Sequence, residues 1–202
     1  MPPAVTAASG LDALTHAVEA FANQFAHPAV DLYALEAIRL VGRYLLRAVR
    51  DGSDLEAREG MALASLYGGL CLGPVNTAAV HALAYPLGCE FHVAHGVSNA
   101  LLLPHVLDYN LPAAPGRYAR VAEALGAGHG GSEEQRARRG LELIRSLIRD
   151  CGVPGSLRQL GVEETAIPRL VESGMRVTRL LQNNLREVTP EAAAAIYRAA
   201  LG

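Results

Sequence analysis

The chain has 202 residues, half of them apolar, and a formal net charge of −2, which suits one sizeable core and leaves no basic field to grip nucleic acid. All eighteen basic residues are arginine, which excludes Schiff-base chemistry, a P-loop lysine and a lysine general base, and narrows the catalysts to His, Asp, Glu, Tyr and metal. The N-terminus lacks the charged start of a signal peptide and no apolar run is long enough to span a bilayer, while the scattered Cys71, Cys89 and Cys151 read as buried free thiols in a reducing cytoplasm.

The first informative element is Asp12-x-x-x-His16. Residues four apart on a helix share one face, so the carboxylate and the imidazole can converge on one ion. Ser9 to Asp12 also fits a helix-capping pattern in which the carboxylate serves backbone amides. Glu19, one turn past His16, either orients a ligand or faces solvent. A second helix follows from Leu35, Ile38, Val41, Leu45 and Val49, ending at Asp51-Gly52. Ser53 and Glu56 then form a capping-box pattern ahead of Met61, Leu63, Leu66 and Leu70, with Ala62, Ala64, Gly68 and Gly69 allowing close packing.

His81 and His95 sit in apolar surroundings, where an unpaired imidazole is costly unless hydrogen-bonded or metal-bound. With Asp12 and His16 they make four ligand candidates. An oxygen and nitrogen set without thiolate suits iron(II), zinc, manganese, cobalt or nickel better than copper(I) or an iron–sulfur cluster. His27, His92, His105 and His129 stay outside this set. Residues 126–132, GAGHGGS, form the clearest loop, dividing a metal half of about 1–125 from a helical half of about 132–202. The loop has the look of an anion cradle at a helix start, but no strand precedes it. Ser132 with Gln135 opens a helix that runs through Leu141, Ile144, Leu147 and Cys151 to Gly152 and Pro154. Thr189 caps a last helix with Pro190 at its first position. No series of alternating strands is present, so the fold class expected is an all-α bundle.

Three stretches in order, Gly10-Leu11-Asp12-Ala13-Leu14-Thr15-His16, His81-Ala82-Leu83-Ala84-Tyr85-Pro86-Leu87-Gly88 and His95-Gly96-Val97-Ser98-Asn99, resemble the iron-containing (group III) alcohol dehydrogenases. The resemblance covers essentially the whole chain but only that family's C-terminal helical domain, of the dehydroquinate synthase-like type. It implies that Asp12, His16, His81 and His95 hold a catalytic divalent metal, iron(II) favoured and zinc the alternative. The metal would stabilise the alkoxide of a small alcohol while hydride passes to NAD or NADP, or polarise the carbonyl in reverse. Tyr85 stands where many members have a histidine near nicotinamide and substrate, and a tyrosine can donate a hydrogen bond there.

The family's N-terminal nucleotide-binding domain is absent from these 202 residues. That implies weak nicotinamide binding by this chain alone, a fragment, truncation or split enzyme completed by a separate nucleotide-binding domain, and apolar surface that favours a homo-oligomer. Rival readings are a maleylacetate reductase, a member of the glycerol dehydrogenase and dehydroquinate synthase group, and a noncatalytic helical module with a structural ion. The Asp12-His16 pair favours alcohol dehydrogenase over the first two, and the lack of lysine disfavours dehydroquinate synthase.

Overall fold

A computed structural model describes residues 1–202 as ten α-helices with short 3-10 turns between some of them and no sheet. The helices are α1 (Pro3–Phe21), α2 (Pro28–Arg50), α3 (Leu55–Leu72), α4 (Ala79–Phe91), α5 (His95–Asn110), α6 (Pro115–Ala124), α7 (Glu133–Asp150), α8 (Ile167–Met175), α9 (Thr178–Leu181) and α10 (Pro190–Leu201). The all-α bundle expected from the sequence is therefore what forms. No helix is long and apolar enough to cross a membrane.

α1 is the central helix, packed against α2, α3 and α5. Leu11, Leu14, Ala17, Val18, Ala20 and Phe21 are all buried along it, the pattern of a helix surrounded by others rather than lying on a surface. It crosses α5 so closely that a Cβ on Gly96 would lie 2.1 Å from the carbonyl oxygen of Ala8. That crossing brings the Asp12 turn of α1 beside the first turn of α5.

Local signals set most helix ends. Ser132 and Gln135 form a reciprocal capping box at α7, and Thr189 accepts from the Ala192 N–H with Pro190 in the first position of α10. The helix read at Leu35–Val49 starts earlier, at Pro28, where the His27 ring accepts from the Ala29 N–H. Two capping expectations are corrected. α1 begins at Pro3, so Ser9 and Asp12 are interior and Asp12 is not a cap. At α3 the cap is Asp54, which accepts from the Ala57 N–H, while Ser53 bonds to Asp51 instead. Asp54 wins because a carboxylate one residue later also pairs with Arg47 at 2.8 Å.

A set of amides ties the early chain to the late chain. Asn23 and Asn184 form an isolated bridge, Gln24 donates its backbone N–H to the Asn183 carbonyl and its side chain to the Asn184 carbonyl, and Asn110 and Asn184 exchange side-chain bonds. Asn183 donates to the Thr77 carbonyl at 2.7 Å. Tyr197, fully buried on α10, donates its hydroxyl to the Leu83 carbonyl of α4 at 2.6 Å. Tyr197→Phe should destabilise by about 0.5–1.5 kcal/mol, because the buried hydrogen bond that ties α10 to α4 is lost. Urea unfolding checks this, and an unchanged midpoint would contradict it.

The thiols divide. Cys71 and Cys151 are buried and Cys89 is exposed, so the expectation of three buried thiols fails at Cys89. Burial pushes Cys71 and Cys151 up to about 11, which makes both poor nucleophiles at neutral pH. Apolar residues also reach the surface: Leu63, Leu66 and Leu70 lie exposed on α3.

Candidate metal centre

Three helices deliver the site. α1 carries Asp12, His16 and Glu19 on successive turns, α4 carries His81 and Tyr85, and α5 carries His95 and Asn99. Because the pairs 12/16, 81/85 and 95/99 are each one turn apart, each helix presents its polar residues on one face. One ligand atom each from Asp12, His16, His81 and His95 lies within 4.8 Å of the others.

The individual separations are informative. Asp12 Oδ2 lies 3.7 Å from His16 Nε2, and Asp12 Oδ1 lies 3.5 Å from both His81 Nε2 and His95 Nε2. These are too long for hydrogen bonds. They are close to the roughly 3.4 Å edge of a tetrahedron whose corners sit 2.0–2.1 Å from a central ion. The His16 and His81 rings stack at 4.8 Å between centroids, and His81 and His95 lie 5.3 Å apart.

Hydrogen bonding favours a cation here. The Asn99 amide nitrogen is 2.6 Å from Asp12 Oδ1, 3.0 Å from His81 Nε2 and 3.1 Å from His95 Nε2. The two N–H groups of Asn99 thus face the Asp12 carboxylate and two imidazole nitrogens, which accept when each ring is neutral with its hydrogen on Nδ1, while Asn99 Oδ1 is buried with no partner. The cluster holds more lone pairs than donors, the imbalance a divalent cation corrects. The residues present therefore fit a metal.

The two carboxylates, Asp12 and Glu19, make the cluster attract positive charge. Burial works against ionising Asp12, but the adjacent His81 ring, His16, the Asn99 amide and His95 outweigh it and lower the carboxyl to about 2. Burial depresses His16 below the ordinary histidine value, with Asp12 opposing. At His81 burial also pulls downward, but Glu19 and Asp12 more than compensate and push it up to about 9.

Exposure separates the residues. His81 is almost wholly buried, whereas the side chain of His95 is 47% exposed, so the apolar surroundings read for both histidines hold only for His81. Tyr85 is 39% exposed and its ring stacks on His95 at 5.9 Å. The cluster therefore has a closed side, formed by His81, and an open side, flanked by His95 and Tyr85.

Glu19 does not face solvent. It is 4% exposed and bonds to His81 Nδ1 at 2.6 Å. Asn99 joins the site as well, and the signal for it in the sequence is its place four residues after His95 on a helix. The other histidines lie elsewhere: His27 caps α2, His92 ends α4 in a left-handed conformation, His105 sits on α5 facing Arg145, and His129 is in the 126–132 loop. In that loop the carbonyls of Gly128 and Gly130 converge on the Arg139 guanidinium.

Comparison with known proteins gives a consistent picture. The model of the Fe-containing alcohol dehydrogenase family, C-terminal, matches residues 6–201. A 1,3-propanediol dehydrogenase from Klebsiella pneumoniae is 44% identical over 200 residues, covering 98% of this chain and 51% of that protein. A crystal structure of 1,3-propanediol oxidoreductase superposes with a TM-score of 0.97 at 44% identity, over 100% of this chain and 53% of that one. The sulfoacetaldehyde reductase from Bifidobacterium kashiwanohense, solved in complex with NAD+, gives 0.87 at 30% identity over 99% of this chain and 51% of that one. The chain thus spans about half the length of the relatives it matches.

Proposed function

Because the chain belongs to the Fe-containing alcohol dehydrogenase family, we propose that it is the metal-bearing half of an NAD(P)-dependent oxidoreductase that interconverts an alcohol with its aldehyde or ketone. Asp12, His16, His81 and His95 would hold the ion. The observation that carries this reading is the convergence of those four side chains beside an open face. A closed shell would have favoured a purely structural ion.

A bound divalent cation supplies Lewis acidity at that face, easing loss of an alcohol's hydroxyl proton or polarising a carbonyl in reverse. The chain's own residues set the terms of that chemistry. Asp12, ionised at neutral pH, contributes negative charge among three imidazoles. His81 and Asn99 close the inner wall. Tyr85, exposed beside His95, would donate its phenolic hydrogen to a substrate oxygen and so orient the reacting carbon. Oxidation of the alcohol transfers hydride to NAD(P)+ and releases one proton. Nicotinamide would be held chiefly by a nucleotide-binding domain, as the family resemblance implies. Iron(II) is the favoured ion and zinc the alternative, both suited to mixed oxygen and nitrogen donors.

The test is alcohol-dependent reduction of NAD+ or NADP+ by the enzyme assembled with its nucleotide-binding half, before and after dialysis against chelator. Activity lost with the metal and regained on adding iron(II) or zinc is expected. Activity that survives metal removal would overturn the proposal. A second check uses affinity alone: His16→Ala should weaken metal binding by more than the ~10–100-fold typical of changes outside the ligand set, and His129→Ala should leave it unchanged. Equal losses would remove His16 from the site.

A further inference from the structure

Resting on the metal reading above, we propose that Glu19 is the positioning residue of the centre. Its carboxylate fixes His81 in the Nδ1–H form, so that Nε2 keeps its lone pair for the ion, and the same carboxylate caps the helix that carries His81.

Both halves of this assignment are visible in the geometry. Glu19 Oε2 lies 2.6 Å from His81 Nδ1, and Glu19 Oε1 accepts from the Val80 N–H, also at 2.6 Å. An ionised carboxylate can only accept, so the hydrogen shared with the ring belongs to Nδ1. The opposite nitrogen, Nε2, faces Asp12 Oδ1 at 3.5 Å and the donating Asn99 amide at 3.0 Å. The Asn99 contact suits a lone pair at Nε2, and the Asp12 oxygen is then a second acceptor beside it, a pairing that a cation between the two reconciles. Neither Glu19 nor His81 has room to turn, since each is nearly fully buried.

The bond to Val80 answers a separate need. α4 starts at Ala79 behind Ala78, whose side chain cannot cap, leaving first-turn N–H groups without an acceptor inside the core. Glu19 reaches across from α1, sixty-one residues earlier in the chain, to satisfy one of them. A carboxylate also suits the positive end of a helix dipole. The ring orientation of His81 and the position of its helix are thus set by one side chain, and the ligand pair Asp12/His16 on α1 is locked in register with His81 on α4.

Glu19→Gln tests the idea with almost no change in size. Glutamine has one acceptor oxygen and one amide NH2. If the oxygen keeps the Val80 N–H, the NH2 group faces His81 Nδ1 and makes it an acceptor, which moves the ring hydrogen to Nε2, toward the ion. Cobalt(II) titration of the chain, followed by its visible bands, should then show affinity reduced about 10–100-fold with an altered spectrum, while circular dichroism shows the helices intact. Affinity within about twofold of wild type with an unaltered spectrum, against that 10–100-fold expectation, would overturn the proposal. A variant-free measurement runs beside it: imidazole nitrogen NMR of the zinc-loaded wild-type chain should show His81 with an exchange-protected Nδ1–H, and a hydrogen on Nε2 would overturn it equally. Wild-type chain that binds no cobalt would instead bring down the metal reading itself, and the tautomer assignment with it.

Discussion

His81→Ala should empty the metal centre. Wild-type chain purified without chelator is expected to carry about one divalent ion, since four donors define one site, and the variant close to none. Of the four candidates His81 is the most deeply buried, and it contacts Asp12, Asn99 and Glu19. Its removal takes away a donor on the closed side, where no water from bulk solvent can readily replace it. It also strands Glu19 in the core with only the Val80 N–H as partner. Breaking a buried pair from one side costs roughly 3–5 kcal/mol, so the variant should also unfold earlier. Elemental analysis and thermal unfolding on the same sample separate the two effects. Metal content equal to wild type would exclude His81 from the ligand set, whatever happened to stability.

Gly96→Ala should damage fold and site together. The added methyl would meet the Ala8 carbonyl oxygen at 2.1 Å and its carbon at 2.6 Å. Those are backbone atoms in the middle of a packed helix, so no side-chain rotation relieves the clash and α1 and α5 must separate. Overpacking costs about 1–3 kcal/mol where side chains can yield, and this site belongs at or above the upper end. A loss near 3 kcal/mol lowers the midpoint by roughly 6–12 °C in a chain of this size. Asp12 and His16 ride on α1 and His95 on α5, so metal affinity should fall as well, although no donor has been altered. A melting temperature within about a degree of wild type would show that the helices can part at little cost, contrary to this packing argument.

Elements governed by near neighbours were legible in the sequence. Ser132 with Gln135 and Thr189 with Pro190 act within a single turn, so residue identity and spacing suffice. The same holds for the Asp12/His16 pair, whose common face follows from helix periodicity alone. Ser53 misled because the neighbouring Asp54 fills the same role and gains Arg47 from another helix, a tertiary contact that spacing does not reveal. Glu19 shows the limit more sharply. On α1 alone a carboxylate one turn past His16 is as plausible in solvent as in the core, and only the arrival of α4, with an uncapped end and a histidine, decides. His95 and His81 looked alike in apolar surroundings, yet one lies half in solvent and the other inside. Neighbours in sequence do not report which side of a helix the rest of the bundle leaves uncovered.

The bridge between Asn23 and Asn184, with the two bonds that Gln24 makes to the same late segment, bears on the order of events during synthesis. The turn that closes the first helix finds its partners about 160 residues downstream. At ~5–20 residues per second, a ribosome needs on the order of 10–30 s to deliver them. Over that interval α1 can already pack against α2, α3 and α5, which emerge first, while the turn at its end waits for its partners. Emergence of the last helices is therefore the event that completes the first one, and a chain halted before residue 183 would carry the metal-binding sequence without the clasp that holds it in place.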